Sequence, residues 1–183
     1  MTSPVVHADV LAAAKRLGTW PVRTPLLNNP TLDALCGGRI WFKPENLQHT
    51  GSFKFRGAMN RLLAIPPEGR RGGVVAYSSG NHAQGVAWSA KRLGMPALIV
   101  MPRDTPSVKL EGTRALGAEI VLYDRMTEKR EEIAARIAEE RGDADRQQPQ
   151  RPGDRFPCHQ RRQQAGECAN SRKQSSFAMD GRP

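Results

Sequence analysis

Three short apolar runs recur about every 22 residues in the middle of the chain, and this repeat limits the folds available to it. The runs are rich in Val, Ile and Leu and are bounded by Gly or Pro: GVVAY (73–77), PALIVM (96–101) and AEIVLYD (118–124). Composition of this kind is typical of strands that are buried on both faces. We therefore predict three buried strands.

Helical patterns fill the intervals between and after these runs. Residues 81–94, 105–117 and 127–142 combine helix formers with apolar spacing of three to four residues and a closing glycine. Alternation of this kind predicts an α/β fold, an open parallel sheet with flanking helices and right-handed crossovers. Upstream we predict a strand at 39–43 and helices at 7–17 and 52–65. A further strand is expected after Gly142, but the sequence there offers none, so the sheet is predicted to be incomplete.

The composition changes abruptly after Gly142. Residues 143–183 contain no Leu, Ile or Val, and seven of the nine glutamines fall there. Such a segment buries too little apolar surface to offset the entropy of ordering it, so we predict a disordered tail. A second interpretation is out-of-frame translation, which the coding DNA tests by showing whether another frame restores aliphatic sequence.

The charge and cysteine content exclude several classes of protein. The formal net charge is +10, but the basic residues are spread along the chain, so nucleic-acid binding is not favoured. No apolar run is long enough to span a bilayer, and the N-terminus lacks the pattern of a signal peptide. The three cysteines have no CxxC spacing and predict neither a disulfide framework nor a zinc or other metal site. We expect a cytoplasmic protein.

Lys54 lies between two phenylalanines in TGSFKFRGAMNRL (50–62). It lies about one turn into a helix predicted to begin near Ser52, where the positive end of the helix dipole and the apolar neighbours disfavour an ammonium ion. A neutral amine can form a covalent bond with a carbonyl carbon, and pyridoxal phosphate is the commonest such partner. The alternative is a surface lysine with Phe53 turned into the core.

SSGNHAQG (78–85) follows a predicted strand and opens a predicted helix. Small residues let backbone amides approach a ligand, and the helix N-terminus favours a carboxylate or phosphate. Asn81 could hydrogen-bond a ligand oxygen. The alternative is a tight turn capped by Ser79 or Asn81. His82 is either an acid–base group or a polar residue of the first helical turn, and we favour the second.

KPENLQHTGSFKFRGA (43–58) links the predicted strand at 39–43 to the helix of Lys54. Pro44 and Gly51 bracket a turn-rich segment that would hold Lys54 on a stiff platform. Arg56 could pair with a carboxylate or a phosphate, or simply face solvent, and we favour the solvent interpretation.

Taken together, ENLQHTGSFKFRGA and SSGNHAQG closely resemble the serine/threonine dehydratase group of pyridoxal-phosphate enzymes, which have the tryptophan-synthase-β fold. RTPL (23–26), KRLGMPALIVMP (91–102) and PSVKLEGTRALGAEIVLYD (106–124) are similar to that family too. The resemblance runs from about residue 5 to 142. It implies that residues 1–65 belong to the larger cofactor domain and 66–142 to a smaller α/β domain, with 143–183 as the tail.

The resemblance also implies roles for individual residues. Lys54 corresponds to the lysine that binds pyridoxal 5′-phosphate covalently and later removes the Cα proton. Phe53 packs near the cofactor ring, and Asn81 hydrogen-bonds its 3′-oxygen. The loop of Ser78, Ser79, Gly80, Asn81 and His82 receives the substrate carboxylate. The implied reaction converts serine or threonine to a 2-oxo acid and ammonia, in an enzyme that is expected to form homo-oligomers.

The sequence departs from this family where the cofactor phosphate should bind. Nothing here matches the family's glycine-rich phosphate loop, the residue facing the pyridine nitrogen or the cation-binding acidic residues. We therefore interpret the chain as an N-terminal part of such an enzyme and expect it to be inactive alone. An amino-acid racemase of the same fold remains open, as does a non-catalytic remnant whose basic tail binds acidic partners.

Overall fold

The computed structural model describes residues 5–141 and the backbone of residues 145–146. Val6–Gln147 forms one compact unit. No helix among the described residues is long and apolar enough to cross a membrane. The domain boundaries at 65 and 142 stay a prediction.

Four short elements precede Lys54: α1 (His7–Leu17), β1 (Leu27–Asn28), α2 (Pro30–Cys36) and β2 (Trp41–Phe42). β1 and β2 pair in an antiparallel ladder. None of the four elements has a buried residue. The helix at 7–17 is confirmed with its predicted bounds, and the strand predicted at 39–43 is shorter than expected.

The sequence analysis did not predict α2, although its ends carry ordinary helix signals. The Asn29 side chain accepts a hydrogen bond from the amide of Leu32 at 3.2 Å, and Pro30 occupies the first helical position. Gly37 ends the helix with a left-handed backbone, φ 65°. These signals identify a helix even without a buried face.

From Lys54 onward the predicted alternation is confirmed. The elements are α3 (Lys54–Leu63), β3 (Val74–Tyr77), α4 (Asn81–Arg92), β4 (Ala97–Pro102), α5 (Ser107–Ala115), β5 (Glu119–Tyr123) and α6 (Arg130–Arg141). The strands are parallel, in the order β5-β4-β3-β6, where β6 is Asp145–Arg146. The fold is therefore the predicted open parallel sheet with flanking helices.

Each face of the sheet has its own hydrophobic core, because successive strand residues point to opposite faces. One core joins Val74, Ala76, Ile99 and Met101 to the buried residues of α3 and α4. The other joins alternate strand residues to α6: Val75, Leu98, Val100 and Tyr123, with Ala134, Ile137 and Ala138. Helices on both faces bury β3 and β4 almost completely, which accounts for their continuous apolar sequences.

Gly73 fixes where β3 begins. Its backbone has φ 82°, and an added Cβ would lie 2.8 Å from the carbonyl oxygen of Pro96. The adjacent amide of Val74 donates a hydrogen bond to that same oxygen at 2.9 Å. Only glycine combines this conformation with so close an approach, so the glycine sets the register of β3 against β4.

Two details of the sequence analysis are wrong. The helix after Ser52 begins at Lys54 itself, because Ser52 is extended (φ −161°, ψ 157°). The segment after Gly142 does contribute a strand, since the backbone of Asp145 and Arg146 pairs with Val74 and Val75. An edge strand of two residues needs backbone hydrogen bonds and no apolar pattern. Apart from residues 145–146, the predicted tail at 143–183 lies outside the described residues.

Candidate active site

Lys54 is the first residue of α3 and is half-buried. Its Nζ lies 5.1 Å from the centre of the Phe53 ring, so the amine rests against an aromatic face. The helix is anchored by four buried residues on one side: Phe55, Ala58, Met59 and Leu62. Lys54 therefore projects from the amino end of a helix whose position is fixed by the core.

The two residues before Ser52 have left-handed backbones. Thr50 has φ 60° and Gly51 has φ 66°. A β-branched residue in this region is a genuine outlier and costs on the order of 1–2 kcal/mol. The amide of Gly51 donates to the carbonyl of Gln48 at 2.8 Å, which closes the turn. Strain of this kind persists only where surrounding contacts hold it, and it occurs often at functional sites.

Gln48 supplies one of those contacts. This side chain is buried and is joined to both backbone groups of Val22. Its Oε1 accepts from the Val22 amide at 2.9 Å, and its Nε2 donates to the Val22 carbonyl at 3.0 Å. The same Oε1 accepts from the His49 amide at 3.1 Å. Gln48 therefore fastens the turn before Lys54 to a segment 26 residues earlier.

Glu45 and Arg56 form a second fastening across the turn. The Arg56 Nε and a terminal guanidinium nitrogen donate to the two Glu45 carboxylate oxygens at 2.6 and 2.8 Å. Thr24 adds a hydroxyl hydrogen bond to the same carboxylate at 2.9 Å. The Arg56 hydrogen bond holds the pKa of Glu45 below its ordinary value. The solvent interpretation of Arg56 is therefore wrong, since it pairs with a carboxylate of its own chain.

His49 joins the same turn to α4 through aromatic contacts. Its ring stacks on Trp88 with centroids 4.3 Å apart and packs edge-on against Phe55 at 4.9 Å. The Nε2 of His49 also lies 3.1 Å from the Trp20 carbonyl oxygen. The sequence analysis did not single out His49, because nothing in its neighbourhood identifies Trp88 as a partner.

The predicted carboxylate loop is the turn from the end of β3 into α4. Ser78, Ser79, Gly80 and His82 are half-buried, whereas Asn81, the first residue of α4, is exposed. The Ser78 hydroxyl accepts a hydrogen bond from the Gly80 amide at 3.3 Å. The first turn of α4 has no acidic residue, and Gly80 at its N-cap provides no side-chain cap, an arrangement that favours an anion.

The strand order places this turn at a favourable point of the sheet. β4 and β5 lie on one side of β3, and β6 lies on the other. Ligands of open α/β sheets bind outside the carboxyl ends of the strands, where the strand order reverses. The turn at Ser78–His82 follows the carboxyl end of β3, the strand at which this reversal occurs.

Gly85 allows α4 to pack closely against the start of α3. A Cβ added to Gly85 would lie 3.3 Å from the carbonyl carbon and oxygen of Lys54 and from the amide nitrogen of Phe55. Without a side chain at this position, the backbone of α4 contacts the backbone at the start of α3. Asn81, four residues before Gly85, lies on the same face of α4. The structure therefore places the backbone of Lys54 against α4, one helical turn after Asn81.

The residues at this place fit one side of pyridoxal phosphate. Two buried hydroxyls near Lys54, Thr50 Oγ1 and Ser52 Oγ, have no hydrogen-bond partner, which is unusual for buried polar atoms. The amine of Lys54 suits the cofactor's aldehyde, and the amide of Asn81 suits its 3′-oxygen. This fit covers the aldehyde side of the cofactor, since the sequence offers no match for the phosphate loop.

Metal ligands and cysteines contribute nothing to this site among the described residues. Among the described residues, no group of three or more His, Cys, Asp or Glu side chains could hold a metal ion. Cys36, at the end of α2, is an exposed free thiol.

Comparison with known proteins places the chain among enzymes. Residues 19–150 match the family model described as "Pyridoxal-phosphate dependent enzyme". The chain is 54% identical over 136 residues to an L-threo-3-hydroxyaspartate ammonia-lyase of Pseudomonas sp, covering 74% of this chain and 43% of that protein. It is 46% identical over 134 residues to an L-threonine ammonia-lyase of Thermotoga maritima, covering 73% of this chain and 33% of that protein.

This chain is also similar to a solved structure. The structure of maize serine racemase matches with a TM-score of 0.73 at 38% identity, covering 77% of this chain and 43% of that one. The chain thus spans less than half the length of these relatives.

Proposed function

The chain belongs to the family of pyridoxal-phosphate-dependent enzymes, and we propose that it carries the lysine-bearing part of an ammonia-lyase for a 3-hydroxy amino acid such as serine or threonine. The contact between the backbone at the start of α3 and Gly85, which lies one helical turn after Asn81, supports this proposal. The names of two relatives support it, because 3-hydroxyaspartate and threonine both bear a hydroxyl on Cβ.

Each predicted residue has a role in this proposal. Lys54 would bind the cofactor's aldehyde through Nζ, with Phe53 beside the ring and the Asn81 amide on the 3′-oxygen. The backbone amides of the Ser78–His82 turn would bind the substrate carboxylate. When bound, pyridoxal phosphate supplies an electron sink that acidifies the Cα proton of the amino acid. After the substrate amine has displaced it from the aldehyde carbon, the freed Nζ of Lys54, held at the start of α3, would accept that proton. The β-hydroxyl, once protonated, would leave as water.

We expect the 183-residue chain on its own to hold the cofactor weakly and to lack turnover. The reason is chemical, since a phosphate normally supplies much of the cofactor's binding and orientation, and this sequence has no match to the phosphate loop. The residues that bind the substrate carboxylate and the aldehyde do not depend on that loop for their local geometry.

Borohydride trapping tests the proposal. The purified chain is incubated with pyridoxal phosphate, reduced and mapped by mass spectrometry, with Lys54→Arg and Lys91→Arg as matched variants. We expect the adduct to concentrate on Lys54 and to fall at least tenfold in Lys54→Arg, with no change in Lys91→Arg. Adduct spread evenly over the lysines would overturn the proposal. Release of ammonia and a 2-oxo acid from serine or threonine would correct only the expectation of inactivity.

A racemase is the second candidate, and the likeness to maize serine racemase favours it. Both reactions begin with removal of the Cα proton by the same lysine, so Lys54 alone does not distinguish them. The products do. In any preparation that turns over L-serine, a lyase forms pyruvate and ammonia, whereas a racemase forms D-serine, which chiral chromatography separates from L-serine.

A further inference from the structure

Four aromatic side chains meet where the turn before Lys54 contacts α4, and we call them the aromatic cluster: Trp20, His49, Phe55 and Trp88. The His49 ring stacks on Trp88 with 4.3 Å between the ring centroids and 23° between the ring planes. Phe55, which is fully buried, packs edge-on against both of these rings, at 4.9 and 5.0 Å. One histidine ring therefore joins the turn to both α3 and α4.

The turn before Lys54 has no buried apolar side chain of its own. Among residues 43–53 only Gln48 and Ser52 are buried, and both are polar. The Gln48 side chain fastens the turn to Val22, which lies in a region that buries almost nothing. The stack of His49 on Trp88 is the contact that joins this turn to a helix of the sheet core.

His49 is held at its ring and at its backbone. Its Nε2 lies 3.1 Å from the Trp20 carbonyl oxygen, and this nitrogen carries the hydrogen because a carbonyl oxygen only accepts. The amide of His49 donates to Gln48 Oε1 at 3.1 Å. The next residue is the left-handed Thr50, a conformation that persists only where surrounding contacts hold it. His49 is therefore fixed immediately before the strained residue of the turn.

The helix that carries Trp88 is a firm partner for this stack. Four residues of α4 belong to the core on one face of the sheet: Ala83, Val86, Ala87 and Ala90. Asn81, Gly85 and Trp88 follow one another at intervals of four and three residues, which is the spacing of one helix face. The stack therefore holds the turn against the face of α4 that begins at Asn81.

We propose that His49 is a positioning residue, whose ring holds the turn before Lys54 against the face of α4 that carries Asn81. This inference rests on the proposed function and adds a residue that acts through Lys54. The stack is the contact that positions the turn, so phenylalanine should replace histidine. Glutamine keeps a hydrogen-bond donor for the Trp20 carbonyl but has no ring, so it should not replace histidine.

The test measures borohydride trapping of pyridoxal phosphate in the full chain, as the ratio of adduct on Lys54 to adduct on Lys91 in the same sample. We expect His49→Ala and His49→Gln to lower this ratio about fivefold through loss of the stack, and His49→Phe to stay within about twofold of the parent chain. His7→Ala, which removes an exposed histidine of α1, should leave the ratio unchanged.

A second control separates positioning from stability. Ile137 is buried in α6, in the core on the opposite face of the sheet from α3 and α4. Ile137→Ala should lower the melting temperature at least as much as His49→Ala, yet leave the trapping ratio unchanged below that temperature. Circular dichroism melts identify a temperature at which every variant is folded, and trapping is compared there.

Trp88→Leu tests the partner of the stack. It should lower the trapping ratio as much as His49→Ala does, and the double variant should fall no further, because both changes remove one contact. In the parent chain the Trp88 ring current should shift the His49 ring protons upfield in NMR spectra. Trp88→Leu should abolish this shift.

Four outcomes overturn the role of His49. They are an unchanged ratio in His49→Ala, a loss in His49→Phe as large as in His49→Ala, an equal loss in Ile137→Ala, and additive losses in the double variant. The parent chain separates this inference from the proposed function. Adduct spread evenly over the parent's lysines overturns the function and this inference with it, whereas adduct concentrated on Lys54 in every variant alike overturns the inference alone.

Discussion

The region before Gln48 and the sheet that follows Gly73 are both rich in apolar residues, yet they bury them very differently. Between residues 5 and 47 only Thr24 is buried, and most of the large apolar side chains are exposed, as with Leu35 at 76% and Trp41 at 50%. In β3 and β4 nearly every residue is buried. Apolar content is therefore not what distinguishes the two regions.

This difference shows that an apolar side chain becomes buried only where another helix or sheet packs against its side of the element. Each face of the sheet has helices against it, whereas α1, α2 and the β1–β2 pair bury none of their residues in the described part of the chain, although α1 contacts α3. The relatives are more than twice as long as the matched segment. We therefore regard the apolar residues of the N-terminal region as a surface that needs a cover. Four experiments test this difference between the two regions and the contacts that join them.

The largest expected effect is on the sheet core. Ile99 is fully buried at the centre of β4, so Ile99→Ala should lower the free energy of unfolding by about 4 kcal/mol through lost burial and a cavity. Leu35→Ala, a change of similar size in α2, should lower it by less than about 0.5 kcal/mol. Urea unfolding curves measure both. Equal losses would show that the two regions are buried alike in solution.

A smaller effect is expected where α3 meets α4. Gly85→Ala places a methyl group 3.3 Å from backbone atoms of Lys54 and Phe55, which can move only with the whole helix. We expect a loss of about 2 kcal/mol from overpacking, together with reduced borohydride trapping on Lys54. Gly38→Ala is the control, since nothing lies within 4 Å of its added Cβ. Normal stability and trapping in Gly85→Ala would show that this contact does not position the lysine.

A third effect concerns the Glu45–Arg56 pair. Its side chains are 16% and 29% exposed, and Glu45→Gln should cost about 1.5 kcal/mol by removing hydrogen bonds to a charged group. Because the pKa of Glu45 is lower in the folded chain, its stabilisation is present above the ordinary glutamate pKa and is lost as the pH falls through the lowered value.

The variant and its control separate this effect from general acid unfolding. Unfolding measured from pH 6 to pH 3 should show a smaller pH-dependent loss in Glu45→Gln than in the parent. Glu132→Gln breaks an ion pair with side chains 76% and 69% exposed and should leave stability almost unchanged. Parallel pH curves for Glu45→Gln and the parent would exclude the pair as a stabilising contact.

The smallest effect on stability is expected at the exposed apolar surface. Leu35→Gln should change the free energy of unfolding by less than about 0.5 kcal/mol, because this side chain is 76% exposed. It should reduce self-association measured by light scattering, because exposed apolar surface drives association. A parent chain that stays monomeric at high concentration and melts in one sharp transition would contradict the view that this surface needs a cover.

Sequence patterns predicted the sheet well because each strand carries its own signal. The runs at 73–77, 96–101 and 118–124 became β3, β4 and β5 within one residue at each end. Burial on both faces leaves a continuous apolar run, which is visible without knowing the neighbours. The proposed roles of Lys54 and the Ser78–His82 turn came from motif resemblance and stay predictions.

The contacts that hold the site were harder to predict, because each depends on a partner far away in sequence. Nothing near Gln48 identifies Val22, and nothing near Gly85 identifies Lys54 as its partner. The left-handed Thr50 was missed since threonine disfavours that conformation and only the surrounding contacts impose it. Arg56 was expected to face solvent because the segment before it was interpreted only as a link. The turn in that segment brings Glu45 back beside Arg56.

The polar contacts around Gln48 and Glu45 have a consequence for motion. Val22, Thr24, Glu45, Gln48 and Arg56 are tied by at least five hydrogen bonds that cross between three separate segments. Those segments must travel as one rigid body with the start of α3. Any hinge that opens the site to a ligand must therefore lie outside these three segments. Lys54 then keeps its position relative to Val22 while other parts of the chain move.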